Sequence, residues 1–311
     1  MTAPPRAVTA PAVGEGAGRR LLDRLDPHAW WLFPLPVVVF CAFIALFPVG
    51  YTLYLSVHHW ISTDVVRFVG FRNYWQDVFT SPAFYRAAGL TAYFSVVALG
   101  IQMVLGVAIA VVINRGFPGK GLVRTIYLFP MMATPVAVAM IWMMMYNPTS
   151  GVLNYLLEAV GLPPQLWLSD RRSVIPALIL LDTWQWTPLV VLITLAGLAA
   201  LPLEPFESAL IDGATPAQVF RYVTLPLLRP TLVVAALFRS IDLLKTFDII
   251  YATTGGGPGT ASQTLNLFIY QTSFRDNLFG QGAAMVTIFV ALVLGVALIF
   301  GRFRRAAGDL A

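Results

Sequence analysis

Long apolar runs dominate this chain, and polar stretches separate them. An α-helix needs about 20 apolar residues to cross the hydrocarbon core of a bilayer. Six runs approach or exceed that length: Trp30 to Leu55, Leu90 to Ile113, Leu122 to Met145, Val174 to Leu201, Leu232 to Tyr251 and Ala283 to Phe300. The pattern therefore predicts an all-α membrane protein with six transmembrane helices.

One polar interruption, residues 202–230 between spans 4 and 5, carries a helical pattern of its own. Small and apolar residues recur there at helical spacing, which predicts a short amphipathic helix over Pro205 to Asp212. The residues at this spacing are Phe206, Ala209, Leu210 and Gly213. Gly213 is also the predicted stop of the helix, because glycine readily adopts the left-handed conformation that ends many helices.

A second helix is predicted to begin almost at once after Gly213. Thr215 and Gln218 have the spacing of a capping box, and Pro216 stands at the first helical position. We expect this helix to run towards Leu225-Pro226. Two short helices joined by a rigid elbow make a docking element, whereas an ordinary connecting loop does not need such caps.

The composition agrees with a polytopic membrane protein. Of 311 residues, 58% are hydrophobic and 11% are charged, whereas a soluble domain carries about 25% charged residues. The single cysteine, Cys41, excludes a disulfide framework or a cysteine metal cluster within the chain. No HExxH motif or cluster of His and Asp is present, so we predict no catalytic residue and no metal site, and a membrane-embedded enzyme is disfavoured.

Basic residues set the orientation of the predicted spans, since Lys and Arg accumulate on the cytoplasmic side. With the N-terminus inside, twelve basic residues fall in inner segments: Arg6, Arg19, Arg20, Arg24, Arg115, Lys120, Arg124, Arg221, Arg229, Arg302, Arg304 and Arg305. Six fall in outer loops: Arg67, Arg72, Arg86, Arg171, Arg172 and Arg275. Both termini and residues 202–230 are therefore predicted to be cytoplasmic. The net charge of +5 is assigned to topology rather than to nucleic-acid binding. Residues 1–28 are predicted to be a disordered tail.

Two outer stretches have patterns of their own. Val152, Tyr155, Leu156 and Val160 share a helical face, which predicts an interfacial helix over Gly151 to Gly161. After span 5, Thr253 to Thr260 reads TTGGGPGT, which we expect to form a flexible turn because its glycines and proline cannot continue a helix.

Polar residues inside spans 4 and 5 are candidates for a solute path, because ionisable groups at the centre of a span are costly. On a helix, Asp182, Gln185 and Trp186 share a face, and Trp184 lies nearly opposite. A carboxylate, an amide and an indole side by side suit a solute rich in hydroxyl groups. Span 5 carries charges at successive spacings of three: Arg239, Asp242, Lys245 and Asp248. These charges have two open interpretations, a solute site or ion pairs that never touch solute.

The chain resembles a known family, the inner-membrane permease subunits of maltose-type ABC importers. The cytoplasmic stretch is similar to that family's EAA loop through Glu207-Ser208-Ala209, Asp212-Gly213-Ala214, Phe220 and Leu225-Pro226. Ser208 replaces the first alanine of that pattern, which exchanges one small residue for another. The segment FDIIYATTGGGP, Phe247 to Pro258, is similar to a hallmark of the sugar branch. The resemblance covers about residues 30 to 305.

The resemblance implies a fold, a domain division and a set of site residues. Residues 29–305 are expected to form the permease domain with a cytoplasmic coupling helix, followed by a cytoplasmic tail over 306–311. The expected contacts to an ATPase are Glu207, Ser208, Ala209, Asp212, Gly213 and Ala214. Solute contacts implied on span 5 are Asp242, Lys245, Thr246 and Asp248, beside Asp182, Gln185 and Trp186 of span 4.

The resemblance also implies partners. We expect a second homologous permease, two ATPase subunits and an extracytoplasmic binding protein that delivers a sugar or polyol across a bacterial inner membrane. No cofactor is expected in this chain, and ATP and Mg belong to the partner ATPase, because the chain lacks a GxxxxGK[ST] loop. The alternative hypothesis is an ion- or proton-coupled secondary transporter, with Asp182 or the span 5 charges as its coupling site. The identity of the solute stays open.

Overall fold

The computed structural model describes residues 34–61 and 66–308. The predicted tail 1–28, the beginning of span 1 and residues 309–311 lie outside this range. By its internal contacts the chain divides into two units, residues 1–54 and 55–311.

Within the described residues, the first unit consists of helix α1 (Leu35–Ser56), which extends two residues into the second unit. Its side chains are almost all exposed, as expected of an apolar helix in lipid. Phe43, Phe47, Tyr51 and Tyr54 stack along one side, with ring centroids 5.4, 5.9 and 6.3 Å apart. The helix confirms the described part of predicted span 1.

The second unit is almost entirely helical. Its α-helices are α2 (Pro82–Asn114), α3 (Lys120–Leu128), α4 (Pro135–Met145), α5 (Val152–Ala159), α6 (Val174–Ala199), α7 (Glu204–Ile211), α8 (Pro216–Val219), α9 (Leu225–Leu244), α10 (Asp248–Thr253), α11 (Leu265–Tyr270) and α12 (Phe279–Gly308). Shorter π-helical segments cover Tyr74–Phe79, Phe220–Thr224 and Gln271–Arg275, and a 3-10 segment covers Phe129–Met132. Two short strands, β1 (His58–His59) and β2 (Arg67–Phe68), pair antiparallel with His58 opposite Phe68.

Four helices in the described part of the chain are long and apolar enough to cross a membrane: α1, α2, α6 and the Phe279–Phe303 part of α12. A fifth crossing is reached if α3 and α4 together form one broken span. Helix α9 falls outside this group, because it carries Arg229, Arg239 and Asp242.

The predicted third span, Leu122 to Met145, is not a single straight helix. The segments Lys120–Met132 and Pro135–Met145 meet at an angle of 98°. Pro130 and Pro135 flank the break, and each proline lacks the N–H that would continue the helical ladder. The apolar pattern alone carried no sign of this bend.

Glycines bring α2, α6 and α9 close together. A Cβ placed on Gly106 of α2 would lie 2.5 Å from Val190 Cγ1 of α6. A Cβ on Gly197 of α6 would lie 2.6 Å from Thr231 Cγ2 of α9. Small residues allow such backbone approach between membrane helices, so side chains from all three helices meet in the space between them.

Residues 151–161 and 253–260 form the predicted elements, with one difference. Helix α5 confirms the predicted helix over Gly151 to Gly161, and buried Asn154 holds it by donating to Pro148 O and Gln165 O, each at 3.0 Å. The glycine-rich turn is also present. It is not a loose loop, however, because Ser262 Oγ lies 2.7 Å from Thr254 Oγ1 and also donates to Gly257 O.

Candidate functional site

A buried charge cluster joins α2, α6 and α9. The Oδ2 atom of Asp182 accepts from Gln102 Nε2 at 2.6 Å and from Arg239 Nη2 at 2.9 Å. Arg239 Nε also donates to Gln102 Oε1 at 2.8 Å. All three side chains are almost completely buried. We call Gln102, Asp182 and Arg239 the buried triad.

The triad satisfies two charges that could not stay buried alone. Removing a carboxylate or guanidinium from water costs several kcal/mol per ion, which is offset only by close pairing and further hydrogen bonds. Gln102 supplies those bonds to both ions, and Arg239 Cζ lies 5.3 Å from the ring centroid of Trp186. The triad therefore fixes the relative position of three helices at one point.

A cavity of about 270 Å³ lies beside the triad. It is lined by Pro135, Asp182, Trp186, Arg239, Asp242, Lys245, Thr246, Phe247, Asp248 and Ile249. Six of the seven residues proposed from sequence for the solute path are in this lining. The cavity thus combines carboxylates, a lysine, a hydroxyl and two aromatic rings, which is a suitable set for hydrogen bonding and stacking on a polar solute.

The charges of span 5 pair both along the helix and across helices. Asp242 lies between two cations, 3.7 Å from Arg239 Nη1 and 3.9 Å from Lys245 Nζ. Arg239 has its shortest ion pair across the bundle with Asp182, as the non-solute interpretation expected. Helix α9 ends at Leu244, so Asp248 opens α10 and does not continue the same helical face.

Gln185 is the candidate that does not reach the cavity. Its side chain is completely buried, and its Nε2 donates to Ala133 O at 3.3 Å, at the break between α3 and α4. Trp184 points elsewhere and meets Trp142 edge-on at 5.7 Å. Gln185 therefore lies where it supports the broken span rather than at the cavity wall.

Gln102 was missed at the level of sequence. It lies in the middle of an apolar run, and its partner Arg239 is 137 residues away. The available signal was the amide itself, since a polar side chain inside a membrane helix needs a hydrogen-bond partner on a neighbouring helix.

The element over residues 202–230 is built as the sequence predicts at its first helix and elbow. Helix α7 spans Glu204–Ile211, and Gly213 has a φ of 72°. Thr215 and Gln218 form both hydrogen bonds of the capping box. Ser208 and Glu207 are exposed, and Ser208 Oγ donates to Glu204 O.

The second helix differs from the prediction, because it does not stop near Leu225-Pro226. Helix α8, the π-helical segment Phe220–Thr224 and α9 follow one another without interruption from Pro216 to Leu244. Pro226 lacks an N–H, and it is accommodated in the first turn of α9, directly after the wider π-helical turn. The element is a short helix joined by an elbow to a long one.

The tip of α7 is an exposed apolar surface. Leu210 is 69% exposed and Ile211 is 86% exposed, beside the carboxylates of Glu207 and Asp212. Leu210 also lines a cavity of about 520 Å³, together with Phe206 and Ala214, against the ends of α2 and α6. An exposed apolar surface with acidic residues at its edge is typical of a protein-binding element.

Comparison with known proteins shows related chains along nearly the whole length. Residues 102–307 match the family described as binding-protein-dependent transport system inner membrane component. The probable ABC transporter permease protein y4oQ of Sinorhizobium fredii is 37% identical over 304 residues, covering 96% of this chain and 97% of that protein. The trehalose/maltose transport system permease protein MalF of Thermococcus litoralis is 36% identical over 279 residues, covering 88% of this chain and 94% of that protein.

Solved structures share the fold. A chain of a bacterial ABC transporter involved in the import of the acidic polysaccharide alginate aligns with a TM-score of 0.78 at 23% identity, covering 92% of this chain and 99% of that chain. A bacterial alginate ABC transporter in complex with an alginate pentasaccharide-bound periplasmic protein aligns with a TM-score of 0.76 at 22% identity, covering 92% and 98%.

Proposed function

Because this chain belongs to the family of binding-protein-dependent transport system inner membrane components, we propose that it is the permease of an ATP-driven importer for a carbohydrate. An extracytoplasmic solute-binding protein delivers that carbohydrate. The observation that carries the proposal is the similarity to a trehalose/maltose permease over 88% of the chain.

The chemistry of the cavity supports a solute with many hydroxyl groups. Trp186 and Phe247 offer aromatic surface, and Asp242, Lys245 and Thr246 offer hydrogen-bonding groups beside it. Named relatives act on such solutes, among them trehalose for SugA of Mycobacterium tuberculosis and sulfoquinovosyl glycerol for SmoG of Agrobacterium fabrum. Monosaccharides, disaccharides and polyols all fit this description.

The proposed topology has six spans, with both termini in the cytoplasm. The broken pair α3–α4 is the third span, and α9 is the fifth. Near the cavity end of α9, Arg239 is buried within the triad, and the partly exposed Asp242 lies between two cationic neighbours. Residues 202–230 then lie in the cytoplasm, where α7 is the coupling helix.

The long helix suggests how ATP hydrolysis is coupled to movement of the solute. Residues 216–244 run as one helical rod from the elbow at Gly213 to the cavity, a length of roughly 40 Å at 1.5 Å per residue. Closure of an ATPase pair would push on α7, and the rod would carry that movement to Asp242 and the cavity wall. The ATPases, a second homologous permease and the binding protein are separate chains, and this chain hydrolyses nothing itself.

Transport assays in liposomes test the proposal. The complete complex is reconstituted with its binding protein, and uptake of radiolabelled trehalose, maltose, glucose and sorbitol is measured with ATP on the ATPase side. We expect at least one of the four solutes to accumulate, and this accumulation should depend on the binding protein. Uptake that proceeds equally without the binding protein, or no uptake of any of them, would contradict the proposal.

A further inference from the structure

Six aromatic rings form a continuous row in the second unit, which we call the aromatic row: Phe247, Tyr270, Phe274, Phe279 and Trp60, with Tyr251 beside its inner end. Successive ring centroids from Phe247 to Trp60 are 5.0, 5.5, 6.2 and 5.1 Å apart. Tyr251 lies 5.2 Å from Phe247 and 5.5 Å from Tyr270. The row crosses four segments of the chain, so it is a tertiary feature and not a stripe along one helix.

The two ends of the row lie at different places. Phe247, at the inner end, is part of the wall of the 270 Å³ cavity beside the triad. Trp60, at the outer end, directly follows β1, in a segment that the charge pattern assigns to the outer face. The row therefore leads from the outer segment to the cavity.

Two rings of the row, Phe274 and Tyr251, are open to their surroundings. Phe274 is 65% exposed and Tyr251 is 50% exposed, so these rings do little to fill the core. Polar side chains accompany them. Asn266 Nδ2 donates to Lys245 O at 2.8 Å, and Asn266 Oδ1 has no partner within the described residues. Gln271 Nε2 donates to Gly255 O at 3.1 Å. Amides beside exposed rings are unsuited to a surface that faces lipid hydrocarbon.

We propose that the aromatic row is a carbohydrate-binding track, which receives the sugar at the outer face and guides it to the cavity. This inference rests on the proposed function. The negative faces of aromatic rings attract the partly positive C–H surface of a sugar, and nearby amides bond its hydroxyl groups. Because neighbouring rings offer similar weak contacts, a sugar can move from one ring to the next without a deep energy minimum.

Ring removal and ring retention distinguish this role from a packing role. In the reconstituted complex, Phe274→Ala and Tyr251→Ala each remove one ring, whereas Phe274→Tyr and Tyr251→Phe keep it. Turnover of labelled trehalose and maltose is measured at saturating binding protein, together with ATP hydrolysed per sugar accumulated. Each alanine variant should lower turnover about 3- to 10-fold, as loss of one aromatic contact implies. It should also raise the ATP consumed per sugar, and the ring-retaining variants should transport normally.

The matched control is Phe71→Ala, since Phe71 is 77% exposed and lies outside the row. Its turnover should stay within about 2-fold of the wild type, the scatter of a neutral surface change. The inference is overturned by normal turnover in both alanine variants, by equal loss in the ring-retaining variants, or by equal loss in Phe71→Ala. If the wild-type complex accumulates none of the four labelled solutes, the proposed function fails first, and the track falls with it.

Discussion

Burying the Arg239 guanidinium requires several hydrogen-bond partners around it. A guanidinium that is 1% exposed has to find partners for its donors, and Asp182, Gln102 and the face of Trp186 supply them. The same contacts tie α9 to α2 and α6, so one residue links the wall of the cavity to the packing of the bundle.

Removing one ion of the triad should destabilise the protein more than removing both. Asp182→Asn leaves Arg239 buried without its counter-charge, and we expect a loss of about 3–5 kcal/mol, a typical cost of breaking a buried pair. Asp182→Leu combined with Arg239→Met should lose much less, because no buried charge remains. Thermal unfolding of the purified complex in detergent measures both.

Asp248→Asn is the control for this comparison, because Asp248 is exposed and lies outside the triad. Its melting temperature should match that of the wild type. A double variant that is at least as unstable as Asp182→Asn would show that the triad is not an interdependent unit.

At Gly106 the backbone of α2 lies close to Val190 of α6, and a substitution can test this contact. In Gly106→Ala the added methyl would meet Val190 Cγ1 at 2.5 Å, and we expect overpacking to cost about 1–3 kcal/mol. Gly100→Ala, six residues earlier on the same helix, has open space around its Cβ. That variant should be neutral or slightly stabilised. Equal melting temperatures for the two variants would disprove the close contact.

Helix α7 and its elbow illustrate which elements are readable from sequence. Gly213, the capping box of Thr215 and Gln218, and the helix before them are local features, and each appears where its residues predict it. The sequence did not predict that the second helix continues through Pro226. A π-helical turn before Pro226 reduces the cost of placing a proline in the helix, and no residue pattern indicates that turn. The bend before Pro135 was missed for a related reason, since the spacing of apolar residues does not reveal where a helix changes direction.

Side-chain partners between elements were less predictable than elements. Placing Asp182 beside Trp186 required only helical geometry, and both line the cavity. The same geometry placed Gln185 with them, although it turns towards Ala133. Pairing Arg239 with Gln102 requires knowing that α2 and α9 touch. That contact depends on how both helices pack against α6, at Gly106 and at Gly197.

Glu207 is predicted to couple α7 to an ATPase subunit. In Glu207→Lys the charge at the exposed tip is reversed, and we expect the complex to keep its affinity for the solute-loaded binding protein. Transport per ATP hydrolysed should fall at least about 10-fold, the effect of losing roughly 1.4 kcal/mol of contact energy. Paired measurements of uptake and ATP hydrolysis in liposomes provide the ratio.

Glu158→Lys makes the same charge reversal on α5, which the proposed topology places on the outer surface. Its transport per ATP should remain close to that of the wild type. Normal coupling in Glu207→Lys, or an equal loss in Glu158→Lys, would remove the basis for calling α7 the coupling helix.

In the proposed function this chain forms one half of a transport path, and α7 transmits the movement of the ATPase to it. The elbow at Gly213 and the cavity beside the triad are the two ends of the continuous helix over residues 216–244. A movement of α7 therefore has a direct mechanical route to Asp242. An ion-coupled transporter would use the same charges differently, since protonation or ion binding at Asp182 or Asp242 would drive the change.

The source of energy decides between these two accounts. Liposomes that contain the complete complex and an excess of binding protein are loaded with ATP, or with a non-hydrolysable analogue plus a proton gradient, and accumulation of the transported sugar is measured. We predict accumulation above the external concentration with ATP alone, unaffected by an uncoupler. Accumulation that needs the proton gradient and proceeds without ATP hydrolysis would contradict the assignment of this chain as an ATP-driven importer permease.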